Sequence, residues 1–585
     1  MSEQPAINWS EVAATPARSA ADAVPHSSTG RDRGRRSRSR SRARGIDRAG
    51  SWAFGALLVV ACGAALWLGR RQWFLLDEWE VLSGRSASSL DDLFRPHNEH
   101  WSTLPVLVYR VLFAVFGLRT YVPYQVAIVV THLALVALLW LVMRRAGVSS
   151  WVATATAAVL VLFGAGSQNI VWGFQIGFVG AMAFGVGQLL LADHEDGSSG
   201  HGRFGWLGAF DRRDGLGLAA GAAALMCSGV GITMLAVVGV GVLLRRGWRA
   251  AAFHVVPLAV LVGVWLAIEQ PETNRNPVGA GTVTIAGKVA AFVGTGIWAT
   301  FGAVSHYSFL GLALAALLVG GLVLAWLPLD RPTFRRTASM PVALLVGGVL
   351  FLVVSGSGRW YFGADFARSS RYLYMTLAFA LPAMAVAAQA FVSRWRWSTP
   401  VVLLVLLVGV PANLTNFLPT FPYSTAYFDG QRNLLIAAAR SPLAKSVPDS
   451  VQPDPINAEG VTIGWLRRSD SSGKLPPTVG PIDALEAQMP VRLGFAESSD
   501  PAPGANCRTV TGVTPLKTAK GQVFSIRGNP FQVATLGADG KPKAPVSFNP
   551  TYFGLERPGG HTYTVELPKL NLVVIAALPV ELCGP

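Results

Sequence analysis

The sequence predicts an all-α polytopic membrane bundle followed by a C-terminal, mostly β extracytoplasmic domain. Of the 585 residues, 51% are hydrophobic and only 14% are charged, and the mean hydropathy is +0.41. An ordinary soluble protein has about 25% charged residues, so the composition excludes a purely soluble enzyme. Apolar runs fill residues 51–415, where we expect about eleven transmembrane helices, and the hydropathy falls after them.

The N-terminal segment 1–50 is polar and has no apolar periodicity, so we predict a disordered cytoplasmic tail. Residues 31–48 contain nine arginines and two aspartates, a large part of the formal net charge of +16. Such a tract can bind RNA or anionic headgroups, but arginines also flank the cytoplasmic ends of membrane helices. We favour the second interpretation and expect the lipid bilayer, and no nucleic acid, as a partner.

A spanning helix needs about 20 apolar residues, and arginine clusters mark the cytoplasmic ends. The predicted spans are 52–68, 122–143, 151–164, 172–192, 216–228, 232–244, 250–268, 307–329, 341–354, 372–392 and 400–410. Residues 289–304 are expected to form an interfacial helix, because a crossing there would put the arginines after residue 330 outside. The N terminus is then cytoplasmic and the C terminus extracytoplasmic. Residues 216–244 are either two short spans or a re-entrant hairpin.

The C-terminal region 416–585 is rich in Pro, Gly, Asp and Ser and contains short alternating runs. Alternation at 522–527, 562–567 and 572–575 is typical of strands, so we predict a β-rich domain on the outer face. Cys507 and Cys583 are the only cysteines in this region. Because that compartment would be oxidising, they are candidates for a disulfide.

The loop 70–121 gathers ionisable residues at the expected outer face, namely Asp77, Glu78, Glu80, His97, Glu99 and His100. A carboxylate there could act as a general base toward an acceptor hydroxyl. The imidazoles and carboxylates could instead hold zinc or manganese. A third interpretation is a solvated loop whose charges keep it out of lipid. The run 104–117 that follows carries Arg110 and suits a helix lying in the interface.

The succession of these segments resembles the GT-C superfamily of membrane glycosyltransferases, especially the branch with protein O-mannosyltransferases and lipid A aminoarabinose transferases. In that branch an acidic pair opens the outer loop. A His-Pro-Pro-like segment leads into an interfacial helix ending in Phe-Gly, and the second span closes with Arg-Arg-x-Gly. The matching stretches are Asp77-Glu78, 97–101, 106–117 and 122–147, with Asn98-Glu99-His100 in place of the prolines. The resemblance covers roughly residues 50–165.

This resemblance implies a GT-C-like bundle, an inverting displacement and no metal or other cofactor. Asp77 would be the general base, positioned by Glu78 or His97. A late Arg-Tyr near the carrier phosphate corresponds to Arg371 and the tyrosine after it.

Guanidinium groups suit phosphate oxygens independently of any family, because they form bidentate charge-assisted hydrogen bonds. Arg359 and Arg368 lie close to Arg371 in the sequence and are expected to assist it. The equally open alternative is that these arginines extend to anionic lipid headgroups.

Gln168, Asn169, Trp172 and Gln175 form a further polar and aromatic patch at the expected outer face. Together with His100 they could contact a sugar or an acceptor, although Trp at a span boundary also occurs in the interfacial belt.

These patterns favour a plasma-membrane glycosyltransferase that moves a sugar from a polyprenyl-phosphate donor to a cell-envelope glycan or lipid on the outer face. A transporter or flippase of lipid-linked sugars is the main alternative, in which the same clusters bind without reacting. A non-enzymatic envelope scaffold is a third possibility. The three differ in whether an acid and a guanidinium share one outward-facing chamber.

Overall fold

The computed structural model describes residues 30–194, 210–271, 282–417, 425–455, 457–482, 487–489, 491, 493–498, 506–517, 522–548, 551–552, 555–556, 560–565 and 571–584. Over these residues the chain is mainly helical and ends in a small β-sheet domain. The first ten α-helices of the described residues are α1 (Gly30–Leu68), α2 (Asp77–Ser83), α3 (Leu90–Phe94), α4 (Thr103–Phe116), α5 (Val122–Arg145), α6 (Ser150–Val161), α7 (Gln168–Val171), α8 (Ile176–Ala192), α9 (Arg212–Leu225) and α10 (Val230–Arg246). The later helices are α11 (Trp248–Glu269), α12 (Thr282–Ser305), α13 (Ser308–Trp326), α14 (Arg331–Thr337), α15 (Ser339–Arg359), α16 (Ser370–Arg394), α17 (Thr399–Leu407), α18 (Val410–Asn416), α19 (Thr425–Arg440) and α20 (Ile463–Ser471).

Nine helical segments of the described residues are long and apolar enough to cross a bilayer, which indicates a multi-pass membrane protein. They lie in α1, α5, α8, α11, α12, α13, α15, α16 and the consecutive pair α17 and α18. The predicted set differs in two ways. It includes α6, α9 and α10, which have only 12, 14 and 17 residues, and it treats most of α12 as interfacial. The eleven crossings stay a prediction.

Helix α1 extends into the segment that the sequence predicts as a disordered tail. It begins at Gly30 and continues without interruption into the apolar run that ends at Leu68. Arginine and alanine are good helix formers, and a helix propagates more easily than it nucleates. An apolar span can therefore extend its helix into the preceding basic segment. Residues 1–29 of the predicted tail lie outside the described residues.

The chain divides into two compact units, which group its segments differently from the predicted boundary at residue 415. The bundle unit comprises Met1–Leu68, Phe94–Leu104 and Gln125–Phe421. The loop–sheet unit comprises Gly69–Leu93, Pro105–Tyr124 and Pro422–Pro585. Most of the loop 70–121, predicted as an appendage of the transmembrane domain, thus belongs with the C-terminal region.

Direct contacts within the loop–sheet unit explain this grouping. The rings of Phe113 and Trp465 stack with their centroids 5.6 Å apart. The Leu118 N–H donates to the Lys474 carbonyl oxygen at 2.7 Å. Gly117 has a φ of +61°, and a Cβ there would lie 2.5 Å from that same carbonyl oxygen, so only glycine allows the approach.

The C-terminal region, predicted as β-rich from residue 416, begins with two helices, α19 and α20, and the strands follow them. In α19 the apolar residues Phe428, Leu435 and Ile436 recur at helical spacing and are buried. The strands are β1 (Leu493–Ser498), β2 (Asn506–Lys517), β3 (Val523–Gly528), β4 (Phe531–Leu536), β5 (Pro542–Phe548), β6 (Thr551–Tyr552), β7 (Leu555–Glu556), β8 (Gly560–Val565) and β9 (Asn571–Gly584).

The main sheet has the strand order β1-β8-β3-β9-β4-β5, with β2 also paired to β9, and β6 pairs separately with β7. All described pairings are antiparallel. Strand β9 is long enough to pair with β2, β3 and β4 at different positions along its length. Cys507 lies opposite Cys583 in the β2–β9 pair, and the two cysteines form a disulfide.

Within the bundle unit, arginines at helix termini meet at one end, which we call the basic end. Their contacts join α1, α5, α8, α10 and α14. The pairs are Arg144–Asp47, Arg145–Leu190, Arg245–Asp193 and Arg335–Leu244, with donor–acceptor distances of 2.6, 2.7, 3.0 and 2.9 Å. These helix ends therefore lie on the same side of the bundle, as the positive-inside reasoning requires of cytoplasmic ends.

Helices α9 and α10 form an antiparallel hairpin. Arg246 at the end of α10 donates to Asp214 in the first turn of α9 at 2.6 Å, so both open ends lie at the basic end. Their lengths of 14 and 17 residues correspond to about 21 and 26 Å at 1.5 Å per residue. Both are shorter than the hydrocarbon thickness of about 30 Å.

Helix α12 contacts helices α16 and α18. Its Phe292 ring lies 5.9 Å from that of Tyr372, near the start of α16. Its Ala303 carbonyl accepts a hydrogen bond from Asn413 of α18 at 2.9 Å. The predicted interfacial orientation of residues 289–304 stays a prediction, because α12 is also long and apolar enough to cross a bilayer.

Candidate functional site

A two-residue turn presents the Glu99 side chain at one end of the bundle unit. His97 and His100 exchange both backbone hydrogen bonds at 2.9 Å, which leaves Asn98 and Glu99 as the turn residues. Asn98 has a φ of +51°, a conformation that asparagine tolerates better than most residues. The sequence His-Asn-Glu-His is therefore suited to forming this turn.

Glu99 forms an ion pair and hydrogen bond with Arg359, the last residue of α15. The two side chains are 25% and 20% exposed. Partial burial by itself would raise the pKa of Glu99, but interaction with the His100 imidazole when it is protonated, and the charge and hydrogen bond of Arg359, outweigh it and lower that pKa. Glu99 is therefore an ionised carboxylate over the physiological pH range.

His100 links the turn to the tip of the α9–α10 hairpin. Its Nδ1 accepts a hydrogen bond from the Gly229 N–H at 3.4 Å, and its ring lies 5.5 Å from that of Phe178. A Cβ on Gly229 would lie 2.9 Å from Nδ1, so a larger residue would displace the ring. Burial lowers the pKa of His100 to about 4, Glu99 opposes this shift, and the cations Arg359 and Arg371 add to it. His100 is therefore neutral at pH 7.

Arg371 is the second residue of α16. Its guanidinium is close enough to His100 for its charge to lower the pKa of that imidazole. It lies 5.8 Å from the Tyr372 ring centroid. Its Nε is buried and has no hydrogen-bond partner among the described residues. The buried hydroxyl of Tyr361 likewise has no hydrogen-bond partner within the described ranges, and Lys288 lies 4.7 Å from the neighbouring Trp360 ring. The site thus holds an excess of positive charge.

Arg368 pairs with a residue outside the cluster of Glu99, His100, Arg359 and Arg371. Its side chain is 54% exposed and pairs with Asp365 at 2.8 Å, three residues earlier. Of the two arginines expected to assist Arg371, the structure brings Arg359 to the cluster and leaves Arg368 on an exposed turn.

The predicted amide patch adjoins the start of α16. The Gln168 N–H donates to Ser370 Oγ at 3.3 Å, next to Arg371 in the chain. Asn169 is fully buried, and neither atom of its amide has a hydrogen-bond partner among the described residues. Trp172 and Gln175 are buried as well, so a sugar would reach this patch only through Gln168 or after side-chain movement.

Asp77 and Glu78 belong to the loop–sheet unit. Asp77 is the first residue of α2 and is half-buried. Glu78 is fully buried and accepts hydrogen bonds from the hydroxyls of Tyr109 at 2.5 Å and Tyr121 at 2.9 Å. Its second oxygen accepts from the Leu75 N–H at 2.8 Å. Glu78 thus connects α2, whose first residue is Asp77, to α4. The predicted meeting of Asp77 with Arg371 joins residues of different units and stays a prediction.

The metal interpretation of the outer loop finds no geometric support. Among the described residues, three potential ligand atoms lie within 4.8 Å of one another only at Cys507, Glu581 and Cys583 and at His194, Asp211 and Asp214. The first group contains the disulfide. In the second, the guanidinium of Arg246 lies 2.6 Å from Asp214 and 3.2 Å from His194, so a cation already occupies its centre.

Sequence reasoning missed Glu99 as a site residue. It named Glu99 only as a possible metal ligand, whereas the structure pairs it with Arg359, 260 positions later. The signal was the replacement of two prolines by Asn98-Glu99-His100, which adds a carboxylate beside two imidazoles. With this geometry established, the chain was compared with known proteins, and it matches no family model, no curated protein and no solved structure.

Proposed function

We propose that the chain is an integral glycosyltransferase of the plasma membrane. It would transfer a sugar from a polyprenyl-phosphate donor to a cell-envelope glycan or lipid on the outer face. The basic end would face the cytoplasm in agreement with the positive-inside rule, which puts the N terminus inside. The cluster of Glu99, His100, Arg359 and Arg371 would then open to the outer leaflet.

The observation that carries this proposal is the pair of guanidiniums with a single carboxylate. Arg359 is paired with Glu99, while Arg371 has a buried Nε without a hydrogen-bond partner in the described part of the chain. A buried N–H group without a hydrogen-bond partner is costly, and an anion of matching geometry would relieve that cost. A phosphate next to an apolar helical bundle, with its lipid chain in the bilayer, has the right charge and surroundings.

The proposed reaction is an inverting displacement. Asp77 takes the proton of the acceptor hydroxyl, whose oxygen forms a bond to the anomeric carbon of the sugar. The bond from that carbon to the donor phosphate oxygen breaks, and the phosphate keeps the electron pair. Arg371 and Arg359 stabilise the developing negative charge, the kind of interaction that usually dominates catalysis. Glu78 positions Asp77, and the sheet of the loop–sheet unit binds the acceptor.

Sugar transfer by the purified chain in proteoliposomes tests the proposal, with radiolabelled polyprenyl-phosphate sugars as donors. Arg371→Ala removes charge-assisted hydrogen bonds of about 1.5–3 kcal/mol, so the donor KM should rise by about 10- to 100-fold. The matched control is Arg368→Ala, which removes an exposed, locally paired arginine and should change KM by no more than about twofold. Equal effects of the two variants would contradict the assignment of Arg371.

Asp77→Asn separates transfer from binding. It should abolish transfer while the donor still binds, because the amide cannot accept the hydroxyl proton. Normal transfer by this variant would disprove the assignment of the base. Movement of the lipid-linked sugar across the bilayer without transfer, in wild type, would favour the flippase alternative instead.

A further inference from the structure

The ion pair between Glu99 and Arg359 lies within a site that is otherwise cationic. The charges of Arg359 and Arg371 both lower the pKa of His100. Glu99 is the carboxylate in the group formed by these three residues and itself. Glu99 sits at the tip of the turn closed by His97 and His100. Its carboxylate can therefore move by side-chain rotation while the turn keeps its backbone hydrogen bonds.

Glu99 and a phosphate ester compete for the same donors. A carboxylate and a phosphate both present paired oxygens to a guanidinium. The hydrogen-bond partner of Arg359 within the described ranges is Glu99, whereas Arg371 has an unpartnered buried Nε. Arg359 contacts Glu99 through Nη2, so a phosphate that binds Arg371 and reaches Arg359 at the same nitrogen replaces the Glu99 carboxylate there.

We propose that Glu99 is a positioning residue that holds the Arg359 guanidinium in the free protein and gives it up to the phosphate of an isoprenoid phosphate ester. The inference rests on the proposed function for the class of ligand, but not for any chemical step. No covalent bond changes when the ligand binds. The Arg359 N–H groups exchange carboxylate oxygens for phosphate oxygens, and Glu99 turns toward solvent at the tip of its turn.

This arrangement has a consequence for affinity. Because the Glu99–Arg359 pair must break before the phosphate is fully bound, Glu99 opposes binding while it keeps Arg359 oriented. Glutamine has the same shape but carries no charge, so it holds Arg359 less strongly. Glu99→Gln should therefore bind the phosphate more tightly than wild type, whereas a residue that contacts the ligand directly would bind it less tightly when substituted.

The test is a double-mutant cycle with the full chain in nanodiscs and farnesyl phosphate, which carries no sugar, as the probe. Glu99→Gln should lower the Kd about tenfold, equivalent to about 1.4 kcal/mol. In the Arg359→Gln background the same substitution should change the Kd by less than about twofold, because the competition is already removed. Asp365→Asn, which removes an exposed carboxylate that pairs with Arg368, is the matched control and should leave the Kd unchanged.

Each other outcome overturns the inference. An unchanged or weaker affinity of Glu99→Gln would show that Glu99 does not compete. The same gain in both backgrounds would show general charge repulsion without competition at Arg359. Absence of binding to wild type and to Glu99→Gln would remove the ligand class. If Glu99→Gln does not yield a monodisperse protein, Glu99→Asp, whose shorter carboxylate reaches Arg359 less well, should give a smaller gain of the same sign.

Failure of the proposed function is distinguishable from failure of this inference. A chain that shows the predicted cycle with farnesyl phosphate but transfers no sugar from any polyprenyl-phosphate donor would retain the inference and lose the glycosyltransferase assignment. A chain that transfers sugar but shows no gain in Glu99→Gln would retain the function and lose the role of Glu99.

Discussion

Arg246 closes the α9–α10 hairpin on Asp214, and both side chains are almost completely buried. Arg246 is 2% exposed and Asp214 is fully buried, with 2.6 Å between Nη1 and Oδ1. The same carboxylate oxygen lies 3.0 Å from His254 Nε2 of α11. Burial would raise the pKa of Asp214, but its hydrogen bonds with Arg246, the Asp211 backbone and His254 lower it to about 2. This pair holds the open ends of the hairpin together at the basic end.

Asp214→Ala should destabilise the bundle unit strongly, because it leaves the buried Arg246 guanidinium without its charge partner. Loss of one member of a buried pair costs about 3–5 kcal/mol. Unfolding of the chain in mixed micelles, followed by far-UV circular dichroism, measures the change. Asp365→Ala removes the 87% exposed partner of Arg368 and should cost no more than about 1 kcal/mol. A similar loss of unfolding free energy in both variants would show that the Asp214–Arg246 pair does not stabilise the bundle unit more than an exposed pair does.

Tyr109→Phe should destabilise the loop–sheet unit, because it removes the 2.5 Å hydrogen bond to the buried Glu78 carboxylate. Burial and the Glu78 charge raise the pKa of Tyr109 well above its usual value, so the hydroxyl is a donor at any working pH. A hydrogen bond to a charged group contributes about 1.5–3 kcal/mol. Protection of the α2 backbone amides in hydrogen exchange should fall accordingly. Unchanged protection would mean that water replaces the lost donor.

Reduction of the Cys507–Cys583 disulfide should lower the stability of the sheet. The bond closes a loop with a sequence separation of 76, and the chain-entropy relation gives about 4 kcal/mol for a loop of that size. The melting transition of the loop–sheet unit should shift to lower temperature in dithiothreitol or in Cys507→Ser/Cys583→Ser. The double variant should not respond to dithiothreitol, and any response would trace the effect to another thiol.

His100 should make the stability depend on pH between about 6.5 and 4. Its pKa is lowered to about 4 by burial, so the unfolded chain binds a proton at higher pH than the folded chain. Stability then rises with pH through this window and falls as the solution is acidified. Protonation also removes the Nδ1 acceptor for the Gly229 N–H. Melting temperatures of wild type and His100→Gln across this range should diverge in slope, and parallel curves would disprove the role of His100.

The long apolar helices could be predicted from the sequence because their signal is local. A run such as 122–143 needs no partner to be recognised, and its closing Arg144 and Arg145 mark one helix end. Arg371 was predicted as a site residue because it matches the late Arg-Tyr of the family that the sequence resembles, and because guanidinium groups suit phosphate oxygens. Short helices gave weaker predictions. The hydropathy of α9 and α10 fits two short spans as well as a re-entrant hairpin. The contact between Asp214 and Arg246 shows how the two helices pair.

The site itself was only partly predictable. The loop carboxylates were recognised as a group, but nothing local distinguishes Glu78, which is buried beneath two tyrosine hydroxyls, from Glu99, which pairs with an arginine. Arg359 and Arg368 had the same predicted role, and their different surroundings arise from the turn that follows α15. Burial and partner choice depend on residues far away in the chain.

By itself, the sequence determined that this protein is a membrane-embedded helical bundle with a β-sheet at its C terminus, since hydropathy and periodicity are properties of neighbouring residues. Only the tertiary structure decided that most of the first outer loop packs with the C-terminal unit and that Glu99 meets Arg359. Those outcomes depend on contacts between distant segments, 356 positions apart for Leu118 and Lys474 and 260 for Glu99 and Arg359, where packing and charge pairing act through space and leave no local pattern.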